Sequence, residues 1–183
     1  MEKNTNTASQ VTVRQAVASD APLIAEMSRQ TFYDSFAEQN TKEDMDKFMT
    51  EQFTHEALMK EVTEPGNIFL LAYTGDEPAG YVRLREKNNP PELGNHNAIE
   101  IARIYAVTTA IGKGVGSALM KACIDIAREK NKTMIWLGVW EHNQRAIDFY
   151  ARWGFEKFAT HVFMLGTDPQ TDWLMKKELQ PVK

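Results

Sequence analysis

The sequence has few of the residues on which several classes of protein depend. It contains one cysteine, Cys123, so no disulfide can form within the chain, and a reducing cytoplasm is the expected compartment. No apolar run is long enough for a membrane-spanning helix, and the first residues are too polar for a signal peptide. The four histidines, His55, His96, His142 and His161, lack the spacing of metal ligands. We therefore expect no disulfide framework, no membrane span and no metal site.

The sequence also lacks a large excess of either positive or negative charge. The 21 Lys and Arg residues against 25 Asp and Glu give a formal net charge of −4. Such a balance argues against nucleic acid and suits a cationic or neutral partner. The length of 183 residues and the 43% of hydrophobic residues suit one globular domain with a substantial core. We expect a disordered tail over residues 1–10 and a single domain over residues 11–183, present as a monomer or homodimer.

The pattern of apolar residues predicts a mixed α/β domain. It indicates one strand, two or three helices, three strands, a helix, a strand, a helix and two final strands. Residues 19–22, with the sequence SDAP, indicate a helix start with a capping side chain and a proline, Thr41 is typical of a helix N-cap, and Gly154 is typical of a helix end. The strands are predicted over residues 11–14, 68–73, 79–84, 98–107, 134–139, 155–165 and 171–179, and the helices start near residues 19, 41, 54, 115 and 143.

A glycine-rich turn joins a strand directly to a helix. The predicted strand over residues 100–107 is followed by Gly112, Lys113, Gly114, Val115, Gly116 and Ser117. Glycines at alternate positions allow a tight turn that gathers several N–H groups at a helix N-terminus, where they favour phosphate. The functional interpretation is a pyrophosphate site, and the structural one is a flexible connection. The spacing matches neither a Walker loop nor the dinucleotide fingerprint.

A second segment, which follows the glycine turn in the sequence, completes a recognisable pattern with it. Residues 136–143 read WLGVWEHN, and residues 146–155 read AIDFYARWGF. The strand, the GxGxG turn and the pattern N-x-x-A-x-x-F-Y-x-x-x-G-F together resemble the GNAT acetyltransferase superfamily over residues 100–155. Residues 31–36, 40–45, 136–141, 161–168 and 170–172 further resemble the bacterial polyamine acetyltransferases of the PaiA type.

This resemblance implies a fold, a cofactor and an acceptor. The fold is a central, mostly antiparallel sheet flanked by helices, the acyl donor is acetyl-CoA, and the acceptor is spermidine or spermine. The superfamily usually has Gln or Arg where this chain has Ile111, so backbone N–H groups are expected to hold the phosphates. The residues expected to contact coenzyme A are Tyr105, Ala106, Val107, Gly112, Lys113, Gly114, Val115, Gly116, Ser117, Asn143, Tyr150 and Arg152.

The resemblance also assigns chemical roles, each with a structural alternative. Acetyl transfer needs a neutral amine, a polarised carbonyl and a proton for the leaving thiolate. Tyr150 matches the family's acid, or is a packed aromatic. Asn143 matches the residue that fixes the pantetheine arm, or is a helix N-cap, and both roles can hold. The N–H groups of Tyr105 and Val107 are the expected donors to the acetyl carbonyl and pantetheine. Glu100 is a candidate base, or an exposed charge at a strand edge.

The remaining candidates are charged side chains. Arg152 is a candidate for the nucleotide phosphate, or a solvated arginine. Glu38, Glu43 and Asp46 are candidate ligands of a polyamine, although a solvated helix face produces similar clusters. We expect direct transfer in a ternary complex. The alternatives are acetylation of a protein N-terminus or lysine, and acyl-CoA sensing without turnover.

Overall fold

A computed structural model of the chain describes residues 10–180. Within these residues, seven strands and five helices follow the order that the apolar pattern predicts. The strands are β1 (Val11–Gln15), β2 (Asn67–Thr74), β3 (Glu77–Arg85), β4 (Ala98–Ala106), β5 (Met134–Trp140), β6 (Glu156–Leu165) and β7 (Asp168–Glu178). The helices are α1 (Ala21–Phe36), α2 (Lys42–Glu51), α3 (His55–Thr63), α4 (Val115–Glu129) and α5 (Gln144–Arg152). Of the predicted tail, all but Gln10 lies outside the described residues.

The strands form one sheet in the order β1-β2-β3-β4-β5-β7-β6. Every neighbouring pair in the described chain is antiparallel except β4 and β5, which run parallel and are connected through α4. This arrangement confirms the predicted mixed α/β fold with a mostly antiparallel sheet. In residues 10–180, no helix is long and apolar enough to cross a membrane.

The sheet splits between its two parallel strands. Pairing of β4 with β5 extends from Ala98 and Met134 to Ile101 and Leu137. Beyond these residues, each strand stays paired with its outer neighbour, β3 or β7. The β3–β4 register shifts at this point and leaves Ala102 as an extra residue in β4, which bends the strand. The two strands therefore diverge and enclose a cleft between residues 102–106 and 138–140.

Helices α4 and α5 cover one face of the sheet and complete the main apolar core. The close approach of α4 depends on Gly80 in β3. A Cβ atom at this position would lie 2.6 Å from the Tyr105 carbonyl oxygen and 2.9 Å from Val115 Cγ1. Glycine therefore lets the start of α4 pack directly beside the cleft.

Helices α1, α2 and α3 lie on the opposite face. Phe32 of α1 stacks on Phe48 of α2, with 4.7 Å between ring centroids. Glu61 of α3 binds Arg83 at 2.7 Å and Arg103 at 2.6 Å, which ties this helix to β3 and β4. Aromatic packing and a partly buried ion-pair network therefore fix these helices over the sheet.

Two predicted helix caps have different outcomes. Thr41 caps α2 as predicted, because its hydroxyl oxygen accepts a hydrogen bond from the Asp44 N–H at 3.1 Å. Asp20 precedes α1 but caps no N–H group of that helix in the described chain. Its carboxylate instead accepts hydrogen bonds from Arg14 at 2.7 and 2.8 Å, which lower the Asp20 pKa to about 2. The capping side chain predicted within residues 19–22 is therefore not present at the start of α1.

Candidate active site

The glycine turn ends at the cleft and presents free backbone donors. Gly112 has φ +80° and Gly114 has φ +86°, a left-handed conformation that other residues rarely adopt. Within residues 10–180, the N–H groups of Val115, Gly116 and Ser117 at the start of α4 have no hydrogen-bond acceptor. Free donors and the positive end of a helix dipole together suit a pyrophosphate.

The side chains near this turn are largely exposed. The Lys113 N–H group donates to the Ala110 carbonyl at 3.2 Å, so it is already used inside the turn. The Lys113 and Arg152 side chains are exposed and form no ion pair within the described chain. Ile111 is 41% exposed. The Lys113 and Arg152 side chains are therefore available to approach a phosphate.

The backbone of β4 provides a donor at the cleft, but from Ala106 rather than from Tyr105 or Val107. The Val107 N–H donates to the Ala79 carbonyl at 2.9 Å and is not free, so the prediction that it faces the cofactor is wrong. N–H groups alternate in direction along a strand, and the β3–β4 register is regular from Ile104 to Ala106. The Tyr105 N–H therefore points towards β3 as well. The prediction that it is a donor to the acetyl group or pantetheine is also wrong. The Ala106 N–H points into the cleft.

Tyr150 lies in α5, packed between Phe149 and Phe155, whose ring centroids are 5.6 and 6.0 Å from its own. The residue is buried, and its hydroxyl makes no hydrogen bond within residues 10–180. Burial raises the pKa of the Tyr150 phenol, so the group is protonated at neutral pH. Tyr150 is thus a neutral proton donor in a mostly apolar environment.

Asn143 is the N-cap of α5. Its Oδ1 atom accepts a hydrogen bond from the Ala146 N–H at 3.2 Å. The structural alternative is therefore confirmed. The side-chain amide still has two N–H donors, because capping uses only the oxygen.

Glu100 is buried on a central strand, so the alternative of an exposed edge charge is wrong. Its oxygens accept hydrogen bonds from Arg85 at 2.7 and 3.0 Å and from Asn88 at 2.8 Å. Three donors occupy its two oxygens, so Glu100 is held within a hydrogen-bonded network. Its geometry is that of a structural ion pair rather than of a base.

The face under α1 and α2 contains a side chain that sequence reasoning missed. Asp172 of β7 lies between Trp140 of β5 and His161 of β6 in the sheet register. Beside it, Gly138 is exposed although its neighbours in β5 are buried. An isolated glycine inside an apolar strand is a signal of close approach or access that could have located this position.

A polar groove of about 280 Å³ continues outward from Trp140. It is lined by Gln39, Trp140, Glu141, His142, Asp168, Pro169, Gln170 and Thr171. Phe36 at the end of α1 meets Trp140 edge-on, with 6.3 Å between centroids. The groove therefore combines carboxylates with an aromatic wall.

The predicted acceptor carboxylates are exposed, and none of them lines this groove. Glu38 is in the short turn after α1, and Glu43 and Asp46 are on the outer side of α2. Asp46 forms an ion pair with Lys42. The neighbouring Asp44 instead accepts hydrogen bonds from the Thr167 N–H at 2.7 Å and from its hydroxyl at 2.8 Å, joining α2 to the β6–β7 turn.

The geometry defines a class of protein. A split sheet, a glycine turn that presents N–H groups at one side of the split and a buried phenol in the adjoining core are suited to acyl transfer from a phosphate-containing thioester. The model of the acetyltransferase (GNAT) family matches residues 29–155. The chain therefore belongs to the GNAT acetyltransferase family and is an acetyl-CoA-dependent N-acetyltransferase.

Individual relatives support this membership. An uncharacterized N-acetyltransferase of Lactobacillus delbrueckii subsp. lactis is 39% identical, over 92% of this chain and 98% of the relative. An uncharacterized N-acetyltransferase of Mycobacterium tuberculosis is 28% identical, over 87% of this chain and 98% of the relative. The crystal structure of PaiA N-acetyltransferase from Thermoplasma acidophilum in complex with coenzyme A has a similar fold. Its TM-score is 0.75 at 21% identity, over 93% of this chain and 99% of that one.

Proposed function

We propose that the protein transfers the acetyl group of acetyl-CoA directly to a primary amine of a small polyamine such as spermidine or spermine. The observation that carries this proposal is the split in the sheet. It joins the glycine turn and Tyr150 on one face to the groove beside Trp140 on the other, so both substrates can meet in the cleft.

Direct transfer is supported by the state of the one cysteine. Cys123 is fully buried in the core, and burial raises the pKa of its thiol. A buried, protonated thiol is a poor nucleophile, because the thiolate is the reactive form. We therefore infer a ternary complex in which the amine itself attacks.

The residues of the turn and of β4 fit coenzyme A. The N–H groups of Val115, Gly116 and Ser117 would hold the pyrophosphate, and Lys113 and Arg152 would add positive charge near the phosphates. The Ala106 N–H and the Asn143 amide would hold the acyl-pantetheine arm. Bound acetyl-CoA supplies the acetyl group and a thiolate leaving group.

Tyr150 is the proposed general acid. Its buried phenol keeps its proton until a thiolate forms beside it, and it is then positioned to donate that proton. Retention of an acid in this position favours an enzyme over an acyl-CoA sensor, because binding alone needs no proton donor.

The acceptor is proposed from the charge of the groove. Glu141 and Asp168 line it, and Glu38, Glu43 and Asp46 would extend negative charge along its outer side. Spaced carboxylates suit a flexible polycation, and exposed pairs of this kind contribute about 0.2–1 kcal/mol each and weaken with salt.

An acceptor screen with acetyl-CoA tests the proposal through release of free thiol. The decisive pair is spermidine against a monoamine of similar length, compared at equal concentration of the neutral amine. We expect a preference for spermidine that decreases with salt and is largely lost in the triple variant Glu38→Gln, Glu43→Gln, Asp46→Asn. Equal rates for both amines would overturn the polyamine assignment, and peptides with free N-termini or lysines belong in the same screen.

A further inference from the structure

Asp172 is a partly buried carboxylate for which the described part of the chain supplies no partner. Within residues 10–180 it accepts no side-chain hydrogen bond and forms no ion pair. Other partly buried carboxylates of the same sheet and its flanks behave differently: Glu61, Glu86 and Glu100 each bind an arginine or a lysine. A carboxylate kept partly out of water without a cation is costly, which suggests that a cation arrives with a substrate.

The carboxylate lies where the sheet opens. A Cβ atom at Gly138 would be 3.6 Å from Asp172 Oδ2 and 3.8 Å from His161 Cε1, so both side chains lean over this glycine. Gly138 is the first residue of β5 beyond Leu137, where pairing with β4 ends. An acceptor nitrogen that enters over Gly138 therefore meets the Asp172 carboxylate at the edge of the cleft.

Three titratable side chains face Asp172 from the neighbouring elements: Tyr105 of β4, Glu141 after β5 and His161 of β6. Burial raises the Asp172 pKa to about 6, while positive charge on His161 lowers it and Glu141 raises it further. The Tyr105 pKa is raised by burial and, to a lesser extent, by Tyr81, Tyr150 and Asp172. Tyr105 thus stands within electrostatic range of both the proposed acid and Asp172.

We propose that Asp172 is the catalytic carboxylate that binds the acceptor ammonium and takes its proton. The proposal rests on the acetyl transfer proposed above. The N–H bond breaks, its electron pair stays on nitrogen for attack, and an O–H bond forms on the Asp172 carboxylate. The carboxylic acid then returns the proton to water.

Asp172 suits this step better than Glu100 does. No donor in the described part of the chain binds its oxygens, whereas those of Glu100 are held by Arg85 and Asn88. An alkylammonium has a pKa of about 10, so its proton moves to the carboxylate unfavourably and before attack, and attack on the acetyl carbonyl then consumes the small neutral fraction. A base whose pKa lies near the working pH is more effective in such a step than an ordinary aspartate.

The test measures kcat/KM for spermidine against pH in the native enzyme and in four variants. In the native enzyme the rate should fall below about pH 6, as Asp172 becomes protonated. Asp172→Asn should reduce kcat at least about a hundredfold and remove this acid limb. Glu141→Gln should move the limb to lower pH and His161→Ala to higher pH, because these residues shift the Asp172 pKa in opposite directions. Glu100→Gln should keep the limb.

Two outcomes overturn the assignment: an unchanged acid limb in Asp172→Asn, or its loss in Glu100→Gln alone. A second measurement does not depend on turnover. The carbon-13 carboxyl signal of Asp172, assigned with the Asn variant, should titrate at lower pH when spermidine is added to the coenzyme A complex. No shift would overturn acceptor binding at Asp172. Failure of every amine in the native enzyme would instead remove the proposed function.

Discussion

At the scale of single residues, burial decides which groups can carry protons. Tyr150 and Asp172 both lie partly or fully out of water, and burial raises the pKa of both. The consequences differ, because a phenol with a raised pKa remains a neutral acid, whereas a carboxyl group with a pKa near 6 is still ionised at neutral pH. The same physical cause therefore provides one donor and one acceptor on opposite faces of the sheet.

Removing the Tyr150 hydroxyl tests the acid. Tyr150→Phe keeps the ring against Phe149 and Phe155, so α5 should remain packed. We expect kcat to fall about a hundredfold, within the usual range for a general acid, with nearly unchanged affinity for coenzyme A. Single-turnover rates measure the first quantity and calorimetry the second. An undiminished chemical rate would mean that water protonates the sulfur.

Asp172 also has a measurable effect on stability. In the folded protein the Asp172 carboxyl group keeps its proton up to about pH 6, whereas in the unfolded chain it loses the proton near pH 4. Ionisation therefore lowers the free energy of unfolding as the pH rises through this range. Asp172→Asn should be more stable than the native protein at pH 8, on the order of 2 kcal/mol, and no more stable below pH 4. Urea unfolding at both pH values checks this, with Asp125→Asn on α4 as the surface control. An equal gain at both would exclude ionisation as the cause.

At the scale of elements, the start of α4 depends on backbone that only glycine adopts easily. Gly114 is the N-cap with φ +86°, and in residues 10–180 no atom beyond its own chain neighbours lies within 4 Å of the position that its Cβ would occupy. Position 114 therefore requires glycine for its backbone conformation and not for lack of space. The open space beside it leaves room for a ligand. A side chain here would both strain the turn and approach the phosphate.

Gly114→Val should therefore weaken coenzyme A binding. Displacement of one N–H group from a phosphate costs about 1.5 kcal/mol, which corresponds to about tenfold in the dissociation constant. Gly75→Val is the matched control, because Gly75 has φ +63° in the β2–β3 turn with open space around it. It should lose stability without losing affinity. Calorimetry that finds equal affinity in Gly114→Val would remove the phosphate assignment.

At the scale of the whole molecule, the cleft depends on elements that are distant in sequence. α3 is tied to the sheet through Glu61, which lies between Arg83 and Arg103. Arg103 lies two residues from Tyr105 and also covers the Phe53 ring at 4.8 Å. This network therefore connects the helical layer of the acceptor side to the strand that forms the cleft.

Glu61→Gln should destabilise the protein strongly. The substitution leaves two largely buried guanidinium groups without a negative partner, a loss on the order of 3 kcal/mol. Asp125→Asn removes a surface pair with Lys121 and should change stability little. Chemical unfolding of both variants measures the difference. A loss in Glu61→Gln as small as that in the control would show that water screens the network.

Much of this architecture follows from local sequence. The apolar periodicity predicts the order of strands and helices, Thr41 and Asn143 act as the helix caps that their chemistry indicates, and the glycine turn stands where its spacing places it. These features depend on residues close together in the chain, whose backbone preferences and hydrogen bonds are local. The sequence pattern also identified the family, because each motif on which the resemblance depends is a contiguous stretch of sequence.

Tertiary structure decided the rest of the site. The bulge at Ala102 turns the Ala106 N–H, rather than that of Val107, into an opening between strands that only sheet pairing creates. Glu100 is bound by Arg85 across a strand pair, and Asp172 lies over Gly138, just beyond the end of the β4–β5 pairing, because β7 pairs with β5. Burial and charge environment arise from such long-range contacts, so the sequence by itself determined the elements and the chemistry they carry, and the fold decided which carboxylate is available for it.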